Sequence, residues 1–215
     1  MTAYLFDLFH TLVNFDYPGP RQRDLLGVSA AEWESQIDNP AIYKPRAMGT
    51  VTDPMEIVRE IARHFGKTLS PEEERELLRR RVDRFCATVT NVRPEILDTL
   101  RALKERGHRL CLVSNADVID IMHWEDSPLA PLFDEVIFSC QARLMKPDPE
   151  IYLLAARRVG CPPQACVFIG DGGSNELMGA RRVGMRTIQV RCFVQREVAG
   201  ADHIVDRFSD ILNIK

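Results

Sequence analysis

Tyr4-Leu5-Phe6-Asp7-Leu8-Phe9-His10-Thr11-Leu12 is an apolar, strand-like run that ends in a carboxylate and passes into a short turn carrying a hydroxyl. A carboxylate at the carboxyl end of a buried strand stands where open α/β sheets build their ligand sites. Asp7 therefore reads as a candidate nucleophile. Phe9, two residues on, occupies a place where chemistry often wants a second acid.

Working outward, the pattern changes after Leu12-Val13. From about Tyr17 to Val92 there is no convincing strand but several helical segments. Asp53-Pro54-Met55-Glu56 supplies a capping carboxylate, a proline at the first helical position and an acid in the first turn. Ile57, Val58, Ile61 and Phe65 follow at helical spacing, and Gly66 closes the segment. Ser70-Pro71-Glu72-Glu73 repeats the start signal, and Leu77, Leu78, Val82 and Phe85 mark one face of a longer helix. Arg93-Pro94-Glu95 opens another, closed by Gly107.

Beyond it the alternation is regular. Strands are expected over Arg109–Val113, Glu135–Phe138, Cys166–Ile169 and Arg186–Val190, with a short edge strand at His203–Val205. The spacing predicts helices over Asp117–His123, Pro149–Val159 and around Leu177–Val183. Strands alternating with helices imply a parallel sheet covered on both faces. The expected fold is α/β, a doubly wound parallel sheet built from residues 1–14 and 93–215. Residues 15–92 read as an inserted α-helical cap over the sheet's carboxyl edge, hinged at Tyr17-Pro18-Gly19-Pro20 and near Val92.

Composition narrows the partners. A hydrophobic content of 45% with 27% charged residues is ordinary for a globular protein. The net charge of −3 gives no electrostatic case for nucleic acid or an anionic membrane. No apolar run approaches the ~20 residues of a membrane span, and the first strand is too short to be an export signal. The cysteines Cys86, Cys111, Cys140, Cys161, Cys166 and Cys192 form no C-x-x-C pair, and buried free thiols in a reducing cytoplasm are expected. His64, His108, His123 and His203 lack metal-ligand grouping. Trp33 and Trp124 read as packing residues.

Four polar clusters fall just after expected strands: Asp7 to Thr11, Ser114-Asn115, Lys146-Pro147-Asp148-Pro149, and Gly170-Asp171-Gly172-Gly173-Ser174-Asn175-Glu176. In a parallel sheet these ends share one edge, so residues far apart in sequence converge there. Singly, each cluster has a plainer reading. Ser114-Asn115 suits a turn, and a lysine before proline is ordinarily a solvated surface charge.

In this order and spacing the clusters resemble the haloacid dehalogenase superfamily over nearly the whole chain. Lys146-Pro147-Asp148-Pro149-Glu150-Ile151-Tyr152 and Gly170-Asp171 through Gly179-Ala180 are the most specific parts. The resemblance implies that Asp7 attacks the substrate to form a covalent aspartyl intermediate. It implies that Ser114, with Asn115 beside it, donates hydrogen bonds to the transferred group, and that Lys146 keeps Asp7 ionised. Thr11 and His10 belong to the same turn and are expected at the substrate. Asp7, Asp171 and the backbone carbonyl of Phe9 would bind Mg²⁺, a hard cation that prefers oxygen, with Glu176 expected to hold a metal-bound water.

The departures matter as much. Most phosphatases of this family carry an aspartate where Phe9 stands, to protonate the leaving alkoxide and then activate water. Phe9 can do neither. General acid–base help is worth roughly 10²–10⁴ in rate, so poor leaving groups should be slow. Dehalogenase members have an aromatic residue there, usually tyrosine, but work without a metal and lack an acidic Gly-Asp turn. His10 replaces the usual glycine, and its imidazole has a pKa suited to acid–base work. The expectation is a cytoplasmic, Mg²⁺-dependent hydrolase of a small phosphorylated metabolite with a good leaving group. A 2-haloacid dehalogenase-like enzyme and a catalytically weak binding or regulatory protein of the same fold are the alternatives. Arg46 and Lys44, before Gly49, read as solvated charges, with a reach toward an anionic substrate group as the other option. Oligomeric state is not fixed by the sequence.

Overall fold

The computed structural model describes residues 2–214. β1 (Ala3–Phe6) is followed by five helices: α1 (Gln22–Leu26), α2 (Ala30–Gln36), α3 (Pro40–Ala47), α4 (Pro54–His64) and α5 (Pro71–Thr90). The alternation then begins with α6 (Pro94–Glu105), β2 (Arg109–Ser114), β3 (Glu135–Phe138), α7 (Ser139–Ala142) and α8 (Pro149–Arg158). It closes with β4 (Cys166–Gly170), α9 (Glu176–Arg182), β5 (Arg186–Val190) and β6 (His203–Val205).

The strands form one sheet in the order β3-β2-β1-β4-β5-β6, parallel throughout. This is the doubly wound topology expected. Phe6 pairs in register with Leu112 of β2 and Ile169 of β4, so Asp7, Asn115 and Asp171 all emerge near one edge. The strand order reverses about β1, the position where open α/β sheets leave a crevice.

Side-chain alternation along the strands splits the core in two. Phe6, Leu110, Leu112 and Ile169 face α6 and the C-terminal 3₁₀ turn, with Ile96, Leu100 and Phe208 across from them. Leu5, Cys111, Val113 and Phe168 face α8 and α9, against Ile151, Ala155 and Leu177. Cys111, Cys140, Cys161 and Cys166 are buried free thiols, as expected. A third core joins the helices between β1 and α6: Trp33, Ile57, Ile61 and Leu77 bury together with Ile119 from the loop after β2.

Local signals explain α4 and α5. Asp53 accepts from the Met55 amide at 2.8 Å. The Glu73 carboxylate accepts from the Ser70 amide and the Ser70 hydroxyl accepts from the Glu73 amide, satisfying two donors that a helix start otherwise leaves unpaired. The shorter α1, α2 and α3 carry too few apolar positions for periodicity to reveal them. α3 buries Ile42, Ala47 and a charge, Arg46, so its inner face does not read as hydrophobic.

Two expectations are corrected. Asp117–His123 is a series of hydrogen-bonded turns rather than a helix. Asp117 accepts from the Ile119 and Asp120 amides, and Asp120 accepts from the Asp117 amide. Short acidic side chains here take the amides that a helix would need. Arg46 is not a solvated charge: it is 4% exposed and ion-paired to Asp117 at 3.2 Å. Lys44 is exposed, as expected.

Candidate active site

β1 delivers Asp7 into a cavity of about 680 Å³ between the sheet edge and the helical segment. The Asp7 amide donates to the Ile169 carbonyl at 2.9 Å, extending the β1–β4 ladder by one residue and fixing where the carboxylate begins. The chain then turns sharply, with the Leu12 amide returning to the Leu8 carbonyl at 2.8 Å. His10 sits at the tip with φ of 61°. That left-handed conformation favours glycine, which accounts physically for glycine as the usual occupant.

Lys146 is 2% exposed, against the ordinary habit of a lysine before proline. Its Nζ donates to Asp7 Oδ1 at 2.5 Å and to Glu176 Oε2 at 2.7 Å. Asn115 holds the lysine's backbone from both sides, accepting from its amide at 2.8 Å and donating to its carbonyl at 2.9 Å. Burial works against the ammonium, but Asp7 and Glu176 more than offset it, and Lys146 stays charged well above its usual range. Burial, with Asp7 and Asp171 adding to it and Lys146 opposing, pushes the Glu176 carboxyl up to about 8.

Thr11 links two strand ends. Its hydroxyl donates to Asp7 Oδ2 at 2.8 Å and accepts from the Asp171 amide at 3.0 Å. It is wholly buried and serves the carboxylate rather than the cavity. Glu176 folds back over its own turn, accepting from the Gly172 amide at 3.1 Å. A Cβ on Gly170 would lie 2.1 Å from Glu176 Oε1, so this close approach requires glycine.

Carboxylate oxygens of Asp7, Asp171 and Glu176 all lie within 4.8 Å of one another, and all three residues are buried. Three hard oxygen donors at such spacing fit Mg²⁺ chemistry, which needs only one or two carboxylates besides carbonyls and waters.

The structure brings Asp7, Phe9, His10, Asn115, Lys146, Asp171 and Glu176 to one cavity. Ser114 ends β2 beneath it, fully buried, its hydroxyl without a hydrogen-bond partner among the described residues. A buried hydroxyl left unpaired is costly, and this one ends the strand beside β1. His10 is engaged with Asn14 at 3.0 Å. The Phe9 ring stacks on Phe15 at 5.2 Å and meets Phe85 of α5 edge-on at 5.5 Å. Trp33 both stacks on Phe65 at 5.2 Å and borders the cavity, whereas Trp124 packs on Phe133 and Phe138.

Sequence reasoning missed Arg196, whose Nε donates to Asp171 Oδ2 at 2.7 Å. It lies in the irregular stretch between β5 and β6. Gln189 ties that stretch down, donating to the carbonyls of Asp171 and Arg196. No periodicity or turn chemistry signals such a fold-back. Gln22 and Arg84 were also missed, since polar residues on short or amphipathic helices look like surface.

The profile of the family described as haloacid dehalogenase-like hydrolase matches residues 1–184. A glyceraldehyde 3-phosphate phosphatase of Methanopyrus kandleri is 34% identical over 101 residues, 46% of this chain and 42% of that protein. Protein CbbY of Cereibacter sphaeroides is 28% identical over 176 residues, covering 77% of this chain and 76% of that protein. The match thus spans less than half of the first relative's length. Among solved structures, an L-2-haloacid dehalogenase superposes with a TM-score of 0.70 at 22% identity, covering 99% of this chain and 97% of that one. A Bacteroides thetaiotaomicron enzyme solved with magnesium and inorganic phosphate gives 0.67 at 21% identity, covering 93% and 98%.

Proposed function

Because the chain belongs to the haloacid dehalogenase-like hydrolase family, we propose that it hydrolyses a small phosphorylated metabolite by way of an aspartyl-phosphate on Asp7. One observation carries this reading: Asp7 after β1, Lys146 before α8, and Asp171 and Glu176 after β4 lie buried together beside one cavity. Three buried carboxyl groups meet only Lys146 and the exposed Arg196 among the described residues, and buried charges cost stability unless fully paired. A bound cation and an anionic substrate group supply the missing complement.

In the first step an Asp7 carboxylate oxygen bonds to phosphorus, and the bond from phosphorus to the leaving oxygen breaks. Ser114, whose hydroxyl is unpaired among the described residues, and Asn115, which borders the cavity, would donate to the transferred group. Lys146 holds Asp7 ionised and positioned. In the second step water attacks phosphorus, the Asp7–phosphorus bond breaks, and phosphate and a proton are released. Mg²⁺ held by Asp7, Asp171 and the Phe9 carbonyl, with Glu176 beside it, would shield the charge on the phosphoryl group. Phe9 offers no proton for the leaving oxygen and no base for the water. The substrate is therefore one whose leaving group departs as a stable anion, such as an acyl or aryl phosphate. Residues 15–92 act as the cap that closes over the reaction and excludes water.

A specific observation keeps dehalogenation as the second reading. The aromatic ring at Phe9 suits a halide leaving group, which needs no proton. The acidic cluster favours the phosphatase. Turnover of acetyl phosphate that requires Mg²⁺ and is lost in Asp7→Asn is the expected result. Chelator-insensitive halide release from a 2-haloacid, with no phosphate turnover, reverses the assignment.

A further inference from the structure

Across the cavity from Asp7, the helical segment presents polar groups that the chemistry above does not use. Gln22, in the first turn of α1, is 2% exposed and borders the cavity. Neither its amide nitrogen nor its amide oxygen has a hydrogen-bond partner among the described residues. A buried primary amide with both ends unsatisfied costs stability twice over. Such a group is retained where something else completes it.

Arg84 of α5 borders the same cavity. Its Nε is buried without a hydrogen-bond partner, and no carboxylate among the described residues forms an ion pair with it. Arg81, one position short of a turn away, is by contrast paired with Asp117 and Asp120. The Arg84 guanidinium lies 4.3 Å from the Phe15 ring centroid and 5.9 Å from that of Phe85. Stacking of this kind fixes the plane of the fork while leaving its edge open for two N–H bonds to a carboxylate or phosphate.

The neighbourhood adds to this. Arg84 feels burial first, and then Arg81 and Arg21, all of which lower its pKa, to about 10. It remains charged at neutral pH, in a field that is positive on balance. An uncompensated half-buried cation of this sort attracts an anion. Phe15 also stacks on Phe9 at 5.2 Å, so the guanidinium stands one aromatic ring away from the nucleophile's loop.

We propose that Gln22 and Arg84 form a second recognition subsite for an anionic group at the far end of the substrate, which makes the substrate a bifunctional organic anion. One end is the phosphoryl group transferred to Asp7. The other is a carboxylate or a second phosphate, held bidentately by Arg84 and by the Gln22 amide, with the aromatic wall of Phe9, Phe15 and Phe85 along the connecting atoms. This inference rests on the hydrolase reading for its first anchor, and its test is separable from that reading.

Binding is measured with phosphonates, which occupy the site without turnover. Calorimetry compares phenylphosphonate, 4-carboxyphenylphosphonate and benzene-1,4-diphosphonate in the presence of Mg²⁺. A charge-assisted bidentate contact is worth roughly 10- to 100-fold in affinity, so wild type should prefer one or both doubly anionic probes by about that factor. The probe preferred distinguishes a carboxylate from a phosphate. Arg84→Met should remove the preference, Arg84→Lys should restore part of it, and Gln22→Leu should reduce it less than Arg84→Met. A melting curve for each variant separates lost recognition from lost folding. Equal affinity of wild type for all the probes overturns the subsite, as does a preference that survives Arg84→Met. Turnover of 4-nitrophenyl phosphate is followed separately: its absence counts against the hydrolase reading and leaves the binding comparison standing.

Discussion

At the scale of single residues, Phe9 is the decisive departure. A phenyl ring carries no titratable proton, and its contacts with Phe15 and Phe85 tie the loop after Asp7 to α5. The same substitution thus removes a general acid and adds an apolar wall. Phe9→Asp should raise kcat/KM on alkyl phosphates, by up to the roughly 10²-fold at the lower end of general acid–base catalysis. Activity on acyl phosphates, which need no proton, should gain far less. A folded Phe9→Asp protein with no improvement on glycerol phosphate would contradict this role. The sequence motif identified Asp7, Lys146, Asp171 and Glu176 because strand-end chemistry follows a fixed order along the chain. Gln22, Arg84 and Arg196 had no such order to betray them. Their significance lies in what is missing around them, or in what a fold-back brings near, and neither is written in local spacing.

At the scale of elements, α5 meets the sheet through charge. Arg81 donates to Asp117 at 2.7 Å and to Asp120 at 2.6 Å, while Arg46 of α3 pairs with the same Asp117. The acidic turn after β2 is irregular because its carboxylates serve both its own amides and two arginines from the helical segment. Periodicity alone reads those apolar neighbours as a helix, which is why the turn was not legible. Burial raises the Asp120 carboxyl to about 7, with Arg81 opposing and Asp117 adding to the rise. An unfolded aspartate titrates near 3.9, so between these values the folded chain holds a proton that the unfolded chain has lost. The stability from this group is fully present below about pH 4 and is lost as pH rises through about 7. Denaturant unfolding of wild type and Asp120→Asn should therefore show a wild-type advantage that shrinks from pH 4 to pH 8. An advantage that grows over that range contradicts the raised carboxyl.

At the scale of the whole molecule, alternating apolar runs and helix starts made the doubly wound sheet readable, since parallel strands buried on both faces leave a continuous hydrophobic signature. The helical segment was legible only where α4 and α5 carry full caps and long apolar stripes. What the assembled molecule adds is the enclosure: an acidic sheet edge with no proton donor at Phe9, facing the arginines of the helical segment across one cavity. Without a base for water, the second chemical step should be slower than the first, and the Asp7 intermediate should accumulate. The most direct measurement is rapid mixing with 4-nitrophenyl phosphate and Mg²⁺, followed by acid quench and mass analysis of the peptide bearing Asp7. A burst of nitrophenolate close to one per active site, matched by a phosphoryl group on Asp7 and absent in Asp7→Asn, is the predicted result. Steady turnover with no burst and no phosphoryl group on Asp7 would contradict it.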